Sequence, residues 1–429
     1  MTLLDLTPRV QADARLDALP IAVVGSGPVG LAAAAHLARR GIPFCVFERA
    51  DTVAAAVRAW GHTRLFSPWE HLIDDAARAL LADTGWQEPP GDVAPTGDAL
   101  VDEYLTPLAE HPAVAPHIRF GATVAAVSRE GMDRTRTAGR GRAPFVLRVT
   151  ESDGTAVDTL ARAVIDASGT WATPAALGSN GLDPIGLDAV AEHVEPALPD
   201  VLGRDRARFA GRHTTVVGAG HSAANTLIAL ATLAQLAPGT RTTWLIRNRA
   251  AKRVTTADDD LEGRGALGSR LEQLVAAGRV EVVDSFEIAS AAPHNGGVRL
   301  SGTRGQTHDS DLVVTSTGFR PDLAMLRELR LDLDDIVEAP RRLAPMIDPN
   351  VHSCGTVEPH GYRELSHPEA GFYIVGMKSY GRAPTFLLRT GYEQVRSVVA
   401  WLAGDAESAG RIELTLPATG VCDAGGGCC

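Results

Sequence analysis

Two glycine-rich turns carry the clearest chemical signal in the sequence. The first, Gly25-Ser-Gly27-Pro-Val-Gly30, fits the pattern G-x-G-x-x-G. In such a turn the first glycine allows a tight bend, the second lets the backbone approach a pyrophosphate, and the third lets the next helix pack closely on its strand. The helix N-terminus then offers unpaired N–H groups and a partial positive charge to the phosphates. The turn therefore predicts a dinucleotide-binding site.

An acid supports this interpretation. Glu48 lies 18 residues after Gly30, where the next strand is predicted to end. A carboxylate at that place accepts hydrogen bonds from ribose hydroxyls. We predict that this unit binds FAD through Gly25, Gly27, Gly30, Glu48 and the adjacent Arg49. The alternative, a glycine turn that serves only packing, stays open.

The second turn, Gly218-Ala-Gly220-His-Ser-Ala223, has alanine in the third place, which the pattern permits. Its second strand ends in Arg247-Asn-Arg249 and not in an acid. A guanidinium suits the 2′-phosphate of NADPH, which a carboxylate would repel. This unit is therefore predicted to bind NADPH, and the alternative for the two arginines is a solvated basic loop. The predicted contacts are Gly218, Gly220, Ser222, Ala223, Arg247 and Arg249.

Each turn stands in a strand–helix–strand pattern. The first strand, Ile21–Val24, is a short apolar run without alternation, as expected for a parallel strand buried on both faces. The two units are about 190 residues apart, which predicts an α/β protein with two Rossmann-like domains. The predicted elements are Ile21–Val24, Val29–Arg40 and Phe44–Phe47 in the first unit, and His213–Val217, Ser222–Leu236 and Thr242–Ile246 in the second.

Composition excludes several classes of protein. Of the 429 residues, 45% are hydrophobic and 22% charged, as in ordinary globular chains. The net charge of −11 disfavours nucleic-acid binding. No apolar run reaches the roughly 18 residues that span a bilayer, and five cysteines form no disulfide framework. We expect a cytoplasmic protein without membrane or nucleic-acid partners; whether it forms a homo-oligomer stays open.

With both glycine turns, the chain resembles the two-dinucleotide-binding-domain flavoproteins, which include flavin-containing monooxygenases and thioredoxin reductase-like enzymes. Three further motifs carry the resemblance: Val164-Ile-Asp-Ala-Ser-Gly-Thr-Trp171, Leu312-Val-Val-Thr-Ser-Thr-Gly-Phe-Arg-Pro321 and Gly371-Phe-Tyr-Ile-Val-Gly376. The resemblance implies an NADPH domain inserted in a discontinuous FAD domain. The implied ranges are 18–205 and 323–418 for FAD, 206–322 for NADPH and 419–429 for a flexible cysteine-rich tail, with a terminal helix over Tyr380–Ala400.

The resemblance also implies contacts near the flavin ring. The segment from Trp60 to Trp69 would pass the isoalloxazine, with Trp60 in contact and His62 in a catalytic place. Arg64, Ser67 and Trp69 are further candidates to line the pocket, and a loop that merely packs its tryptophans is the alternative. Gly318 and Gly376 would contact FAD. Lys378 or Arg382 would stabilise reduced flavin by charge, unless both are surface residues.

Disulfide reductases of this group need paired cysteines beside the flavin, but Cys45 and Cys354 have no neighbouring partner. The resemblance then implies a monooxygenase that uses NADPH and O2, forms a flavin C4a-hydroperoxide and oxygenates a small soft or nucleophilic substrate. Reductases also often carry Gly-Asp after the last strand, where this chain has Gly376-Met-Lys378. The departure makes close kinship with reductases less favoured.

Two alternatives rest on the C-terminal pair Cys428 and Cys429. The segment Met377–Phe386 together with this pair resembles flavoproteins of bacterial arsenic-resistance gene clusters. Vicinal thiolates bind soft trivalent arsenic or mercury, so the pair is a predicted metal site. The chain would then be a reductase of thiols or arsenicals, or a flavoprotein that senses redox state or sequesters metal with slow turnover. A tail with incidental cysteines is the structural alternative.

Overall fold

The computed structural model describes residues 14–248, 262–348, 357–384 and 386–414. The strands are β1 (Ile21–Val24), β2 (Phe44–Phe47), β3 (Ile118–Arg119), β4 (Thr123–Arg129), β5 (Phe145–Thr150), β6 (Ala156–Ala161), β7 (Ala163–Asp166), β8 (Val194–Glu195), β9 (His213–Val217), β10 (Arg241–Leu245), β11 (Glu281–Val283), β12 (Ile288–His294), β13 (Gly297–Gly302), β14 (Thr307–Ser310), β15 (Leu312–Thr315) and β16 (Phe372–Ile374).

The helices are α1 (Ala14–Asp17), α2 (Pro28–Arg39), α3 (Ala55–Arg58), α4 (Asp75–Leu81), α5 (Gly97–Leu100), α6 (Thr106–Glu110), α7 (Arg206–Phe209), α8 (His221–Leu236), α9 (Glu262–Ala276), α10 (Ala344–Ile347), α11 (Leu388–Leu402) and α12 (Ala406–Gly410). Turns of 3-10 helix cover Trp69–His71, Ala82–Thr84, Ala115–His117, Arg140–Arg142, Leu187–His193, Ala324–Leu326 and Gly376–Tyr380, and a π-helical turn covers Val101–Leu105.

The first sheet has the parallel order β16-β7-β1-β2-β3. All four residues of β1 are buried, because helices cover one face and the antiparallel β4-β5-β6 sheet covers the other. Ile21 and Val23 pack with α2 and α11, whereas Ala22 and Val24 pack with the β4-β5-β6 side. The apolar run without alternation therefore has its expected cause.

The second sheet repeats this plan in the order β11-β10-β9-β15-β8, also parallel. Helix α8 packs against β9 and β10, and the antiparallel β12-β13-β14 sheet lies against the other face. The chain leaves the first sheet after β7 and returns to it at β16, so the second unit is inserted in the first. The predicted fold class, two Rossmann-like units in an α/β protein, is confirmed.

Two ranges differ from the prediction. The predicted FAD range 18–205 extends too far along the chain. Strand β8 pairs with β15 of the second unit, and Leu177, Val190 and Val201 lie in the hydrophobic cores of that unit. The terminal helix begins at Leu388 and not at Tyr380. The residues before it form the 3-10 turn Gly376–Tyr380 and a bend at Gly381, whose φ is +57°.

A buried ion cluster ties the β4-β5 hairpin to the segment before β16. Glu369 accepts hydrogen bonds from Arg129 Nε at 2.8 Å and from Arg140 Nη2 at 2.8 Å. The Arg330 backbone N–H also donates to it at 3.0 Å. All three side chains of the cluster are at most 6% exposed. One carboxylate therefore compensates two buried guanidiniums.

We expect Glu369→Gln to lower the free energy of unfolding by about 3–5 kcal/mol, because it leaves buried cations without a counter-charge. Chemical denaturation at pH 7 measures the change. Glu407→Gln is the matched control, since Glu407 and its partner Arg411 are exposed, and it should leave stability nearly unchanged. Equal effects of both substitutions would contradict the assigned role of the cluster.

The same carboxyl predicts a pH dependence. Burial alone would raise the pKa of Glu369, but the hydrogen bond from Arg140 and the charge of Arg129 outweigh it and hold this pKa below its ordinary 4.5. A lowered pKa adds stability above pH 4.5 that is lost as pH falls through the folded-state pKa. Unfolding free energy should therefore fall on acidification below pH 4.5, with a smaller slope in Glu369→Gln.

Candidate functional site

The first glycine turn lies between β1 and α2 and folds back on itself. Gly25 has φ +97°, and a Cβ on Gly30 would overlap the Gly25 carbonyl oxygen. A Cβ on Gly27, the residue before α2, would meet no atom within 4 Å. No side chain caps this helix. First-turn N–H groups without a side-chain cap thus lie beside open space, as in phosphate sites at helix N-termini.

Glu48 follows β2 at the same edge of the sheet and is 8% exposed. Its Oε2 accepts hydrogen bonds from Ser26 N at 2.9 Å and Ser26 Oγ at 2.8 Å, and its Oε1 accepts from Ala50 N at 2.9 Å. Since a carboxylate can accept about four hydrogen bonds, one position on Oε1 remains for a ligand hydroxyl. The next residue, Arg49, is exposed.

The second glycine turn has the same design between β9 and α8. Gly218 has φ +128°, and a Cβ there would overlap the carbonyl oxygen of Ser316. A Cβ on Gly220 would meet nothing within 4 Å, and no side chain caps α8. Trp244 Nε1 donates to the Gly218 carbonyl oxygen at 2.6 Å and holds the turn from below. Ala223 is fully buried.

The predicted phosphate contacts of this unit differ in exposure. Arg247 is exposed and lies two residues after the end of β10, much as Glu48 lies one residue after the end of β2. Ser222 is half-buried in the first turn of α8, where its carbonyl oxygen accepts from Thr226. Arg249 lies outside the described residues. The acid-for-cation difference between the two units therefore appears at corresponding sheet edges.

Two antiparallel connectors join the units. Ala175 N donates to Gly318 O and Arg320 N to Thr173 O, both at 2.9 Å. The rings of Trp171 and Phe319 pack at 5.0 Å between centroids. Gly318, a predicted FAD contact, has φ +92° and is exposed in the second connector. The connectors thus form one two-stranded neck beside both glycine turns.

The segment from Trp60 to Trp69 reaches from the first unit to the second. The Phe66 ring lies 5.3 Å from that of His221, which follows Gly220 in the second turn. His62 is exposed and near Asp205, whose pKa is lowered mainly by Arg204 and further by His62.

The tryptophans of this segment take different places. Trp60 is half-buried and packs on Gly97. Trp69 is 3% exposed and packs in the main core of the first unit. The packing role that was the alternative for this segment therefore describes Trp69.

Lys378 and Arg382, predicted to stabilise reduced flavin, lie in different surroundings. The Lys378 side chain is 1% exposed, and its Nζ donates to Asp166 Oδ2 at 2.7 Å. Arg382 is exposed, and its backbone N–H donates to Val337 O at 2.7 Å. Gly376, with φ +69°, begins the turn that contains Lys378. The charge of Lys378 is thus compensated inside the protein.

Cys45 is the free cysteine among the described residues, and burial raises the pKa of its thiol. The predicted metal pair Cys428 and Cys429, like Cys354, lies outside those residues. Within the described ranges no group of three or more His, Cys, Asp or Glu side chains could hold a metal ion. In the same ranges, no helix has both the length and the apolar character to cross a membrane.

Three residues of the site were not predicted. Ser26 and Trp244 hold the two turns, and Asp166 binds Lys378. Asp166 ends a predicted strand, which was a usable signal because strand ends meet at one sheet edge. The role of Trp244 has no such signal, because a tryptophan within a strand reads as an ordinary core residue, although its ring nitrogen donates to the Gly218 carbonyl oxygen.

A protein-family model described as pyridine nucleotide-disulphide oxidoreductase matches residues 19–370. Among curated proteins, the rice (Oryza sativa subsp. japonica) indole-3-pyruvate monooxygenase YUCCA1 is 39% identical over 102 residues, which are 24% of this chain and 23% of the relative. The chain thus matches about a quarter of the length of that curated relative.

Solved structures match nearly the whole chain. Bacillithiol disulfide reductase Bdr from Bacillus cereus has a TM-score of 0.67 at 17% identity, with 90% of this chain and 99% of that chain covered. A flavin-containing monooxygenase from Stenotrophomonas maltophilia has a TM-score of 0.59 at 21% identity, with 90% of this chain and 98% of that chain covered. Thioredoxin reductase from T. acidophilum has a TM-score of 0.56 at 15% identity, with 91% of this chain and 99% of that chain covered. At these identities the matches support the fold alone.

We expect Gly27→Ala to fold like the wild type, because its Cβ meets no protein atom, and to bind dinucleotide at least about tenfold more weakly (~1.4 kcal/mol), because the methyl group fills the space before α2. Gly141→Ala is the control: its Cβ also meets nothing within 4 Å, far along the chain in the β4-β5 loop. Thermal unfolding and FAD titration measure both. Equal FAD affinity in the two variants would contradict the assignment.

Proposed function

The chain belongs to the pyridine nucleotide-disulphide oxidoreductase family, and we propose that it is an NADPH-dependent FAD monooxygenase acting on a small soft or nucleophilic substrate. When bound, FAD would supply the redox chemistry by which a hydride from NADPH and a proton reduce O2, so that one oxygen atom enters the substrate and the other leaves as water. The residues of the chain bind, orient and shield these groups.

The first unit fits FAD. Glu48 keeps one acceptor position for a ribose hydroxyl, and the open space before Gly27 fits a pyrophosphate at the N-terminus of α2. Arg49 (which follows Glu48), Trp60, and Gly318 in the second connector remain proposed contacts. His62 and Arg382 remain proposed catalytic residues; both are exposed.

The second unit fits NADPH. Its uncapped helix and the open space at Gly220 suit the pyrophosphate, and the exposed Arg247 suits a 2′-phosphate. The contact of Phe66 with His221 brings a loop of the first unit onto this turn, so the two cradles share one boundary. The packed rings of Trp171 and Phe319 lie in the neck beside it.

One observation carries oxygenation over thiol relay. In the described part of the chain, the single cysteine is Cys45, half-buried on β2 with a raised pKa. A thiol relay needs a thiolate with a partner beside the flavin, and neither is present there. The 39% identity over 102 residues to a monooxygenase points the same way.

The decisive experiment measures NADPH and O2 consumption with a panel of thioethers and amines under 18O2. We expect consumption at 1:1 and one 18O atom in the product. Anaerobic NADPH oxidation that requires a disulfide or an arsenical, and is lost in the double variant Cys428→Ser/Cys429→Ser, would instead establish the reductase alternative. Flavin bleaching by NADPH without turnover of any acceptor would favour the non-enzymatic one.

Arg247→Gln is expected to raise the KM for NADPH by about tenfold or more, because a charge-assisted hydrogen bond contributes about 1.5–3 kcal/mol. The KM for NADH should change little, since NADH lacks the 2′-phosphate. Arg241→Gln is the control, as this exposed arginine lies at the opposite end of β10. The assignment is wrong if both nucleotides are affected alike.

A further inference from the structure

The chain uses lysine at only two of its 41 basic positions, Lys252 and Lys378. Lys378 is among the largest fully buried side chains, with 1% exposure. Its Nζ donates to Asp166 Oδ2 at 2.7 Å and to Ser168 Oγ at 3.1 Å. A compact ammonium suits such point contacts, whereas arginine presents its donors in a planar fork.

Asp166 is the centre of this cluster. It is 0% exposed at the end of β7, between β1 and β16. While Oδ2 accepts from Lys378, Oδ1 accepts from Ser168 Oγ at 2.6 Å and from Ser168 N at 3.1 Å. The carboxylate therefore links the cation on one side to the turn 166–169 on the other.

The turn 166–169 lies against the first glycine turn, Gly25–Gly30. A Cβ on Gly25 would lie 2.9 Å from Ala167 O and 3.0 Å from Ser168 Cα, and a Cβ on Gly30 would lie 3.5 Å from Ala167 Cβ. From the other side, Gly376 packs on Val29 in the first turn of α2. A shift of the turn 166–169 would therefore move the backbone that faces the pyrophosphate.

The second unit shows that the fold does not require this clamp, meaning the contacts of Lys378 with Asp166 and Ser168. Its corresponding turn follows β15 with Thr315 in the place of Asp166, and Thr315 Oγ1 donates to Glu195 O. Ser316 Oγ, buried beside Gly218, has no hydrogen-bond partner among the described residues. A buried ion pair is thus added at one of two otherwise similar turns, the one proposed for FAD.

We propose that Lys378 is a positioning residue for FAD: it acts through Asp166 to hold the turn 166–169 against the glycine turn, and it does not contact the flavin. The inference rests on the proposed function only in taking FAD as the ligand of the first unit. It replaces the expectation that the Lys378 charge stabilises reduced flavin, since Asp166 already compensates that charge.

The test compares Lys378→Met with Lys378→Met/Asp166→Asn. The single variant keeps the side-chain length but leaves the Asp166 carboxylate without its cation. In the double variant both charges are removed, and the amide oxygen introduced by Asp166→Asn can still accept from Ser168. Arg40→Met is the control, because it breaks the partly exposed pair with Asp405 in the same unit.

FAD dissociation constants are measured at a temperature where every variant is fully folded, so that lost stability alone leaves them unchanged. We expect Lys378→Met to weaken FAD binding at least about tenfold, the double variant to recover most of that loss, and Arg40→Met to bind like the wild type. A double variant as deficient as the single one, or a single variant equal to the wild type, would overturn the inference.

A second readout reports on contact directly. With 13Cε-labelled lysine the chain gives two lysine signals, and the one missing in Lys378→Met belongs to Lys378. That signal should keep its position when bound flavin is reduced; a large shift would mean contact with the ring and would overturn the inference. Wild-type protein that bound no FAD would overturn the proposed function and this inference together.

Discussion

Between Gly25 and Gly30 there is no room for a side chain, since a Cβ on Gly30 would overlap the Gly25 carbonyl oxygen. This close approach lets α2 start directly at the end of β1, with its uncapped N–H groups at the edge where Glu48 lies. The position of the helix, the acid and the open space at Gly27 all depend on it. The sheet and the helices around the turn support that contact.

The second unit uses the same backbone geometry with different side chains. Gly218 backs onto Ser316 as Gly25 backs onto Ala167, yet an exposed arginine replaces the buried acid at the sheet edge. Under the proposed assignments, shape would provide affinity for a pyrophosphate in both units, whereas charge would distinguish their ligands. The ion pair of Lys378 with Asp166 is a second difference, found beside the first turn.

The sequence was sufficient where the signal is local. The strands Ile21–Val24, Phe44–Phe47 and His213–Val217 have the predicted bounds. All four residues of Ile21–Val24 are apolar and buried, and four of the five residues of His213–Val217 are buried. The environment of Lys378 could not be predicted, since its partner Asp166 is 212 residues away along the chain. Likewise, the two residues of β8 carry no pattern, and only pairing with β15 assigns them to the second unit.

The two-stranded neck has a consequence for modularity. The chain enters the second unit at Ala175 and leaves it at Gly318, and a hydrogen bond of 2.9 Å joins these two residues. Excision of the intervening stretch would leave ends that a linker of very few residues can close, without stretching β7 or β16. The arrangement is that of a cassette, which a genetic insertion can add to a complete host domain in a single event.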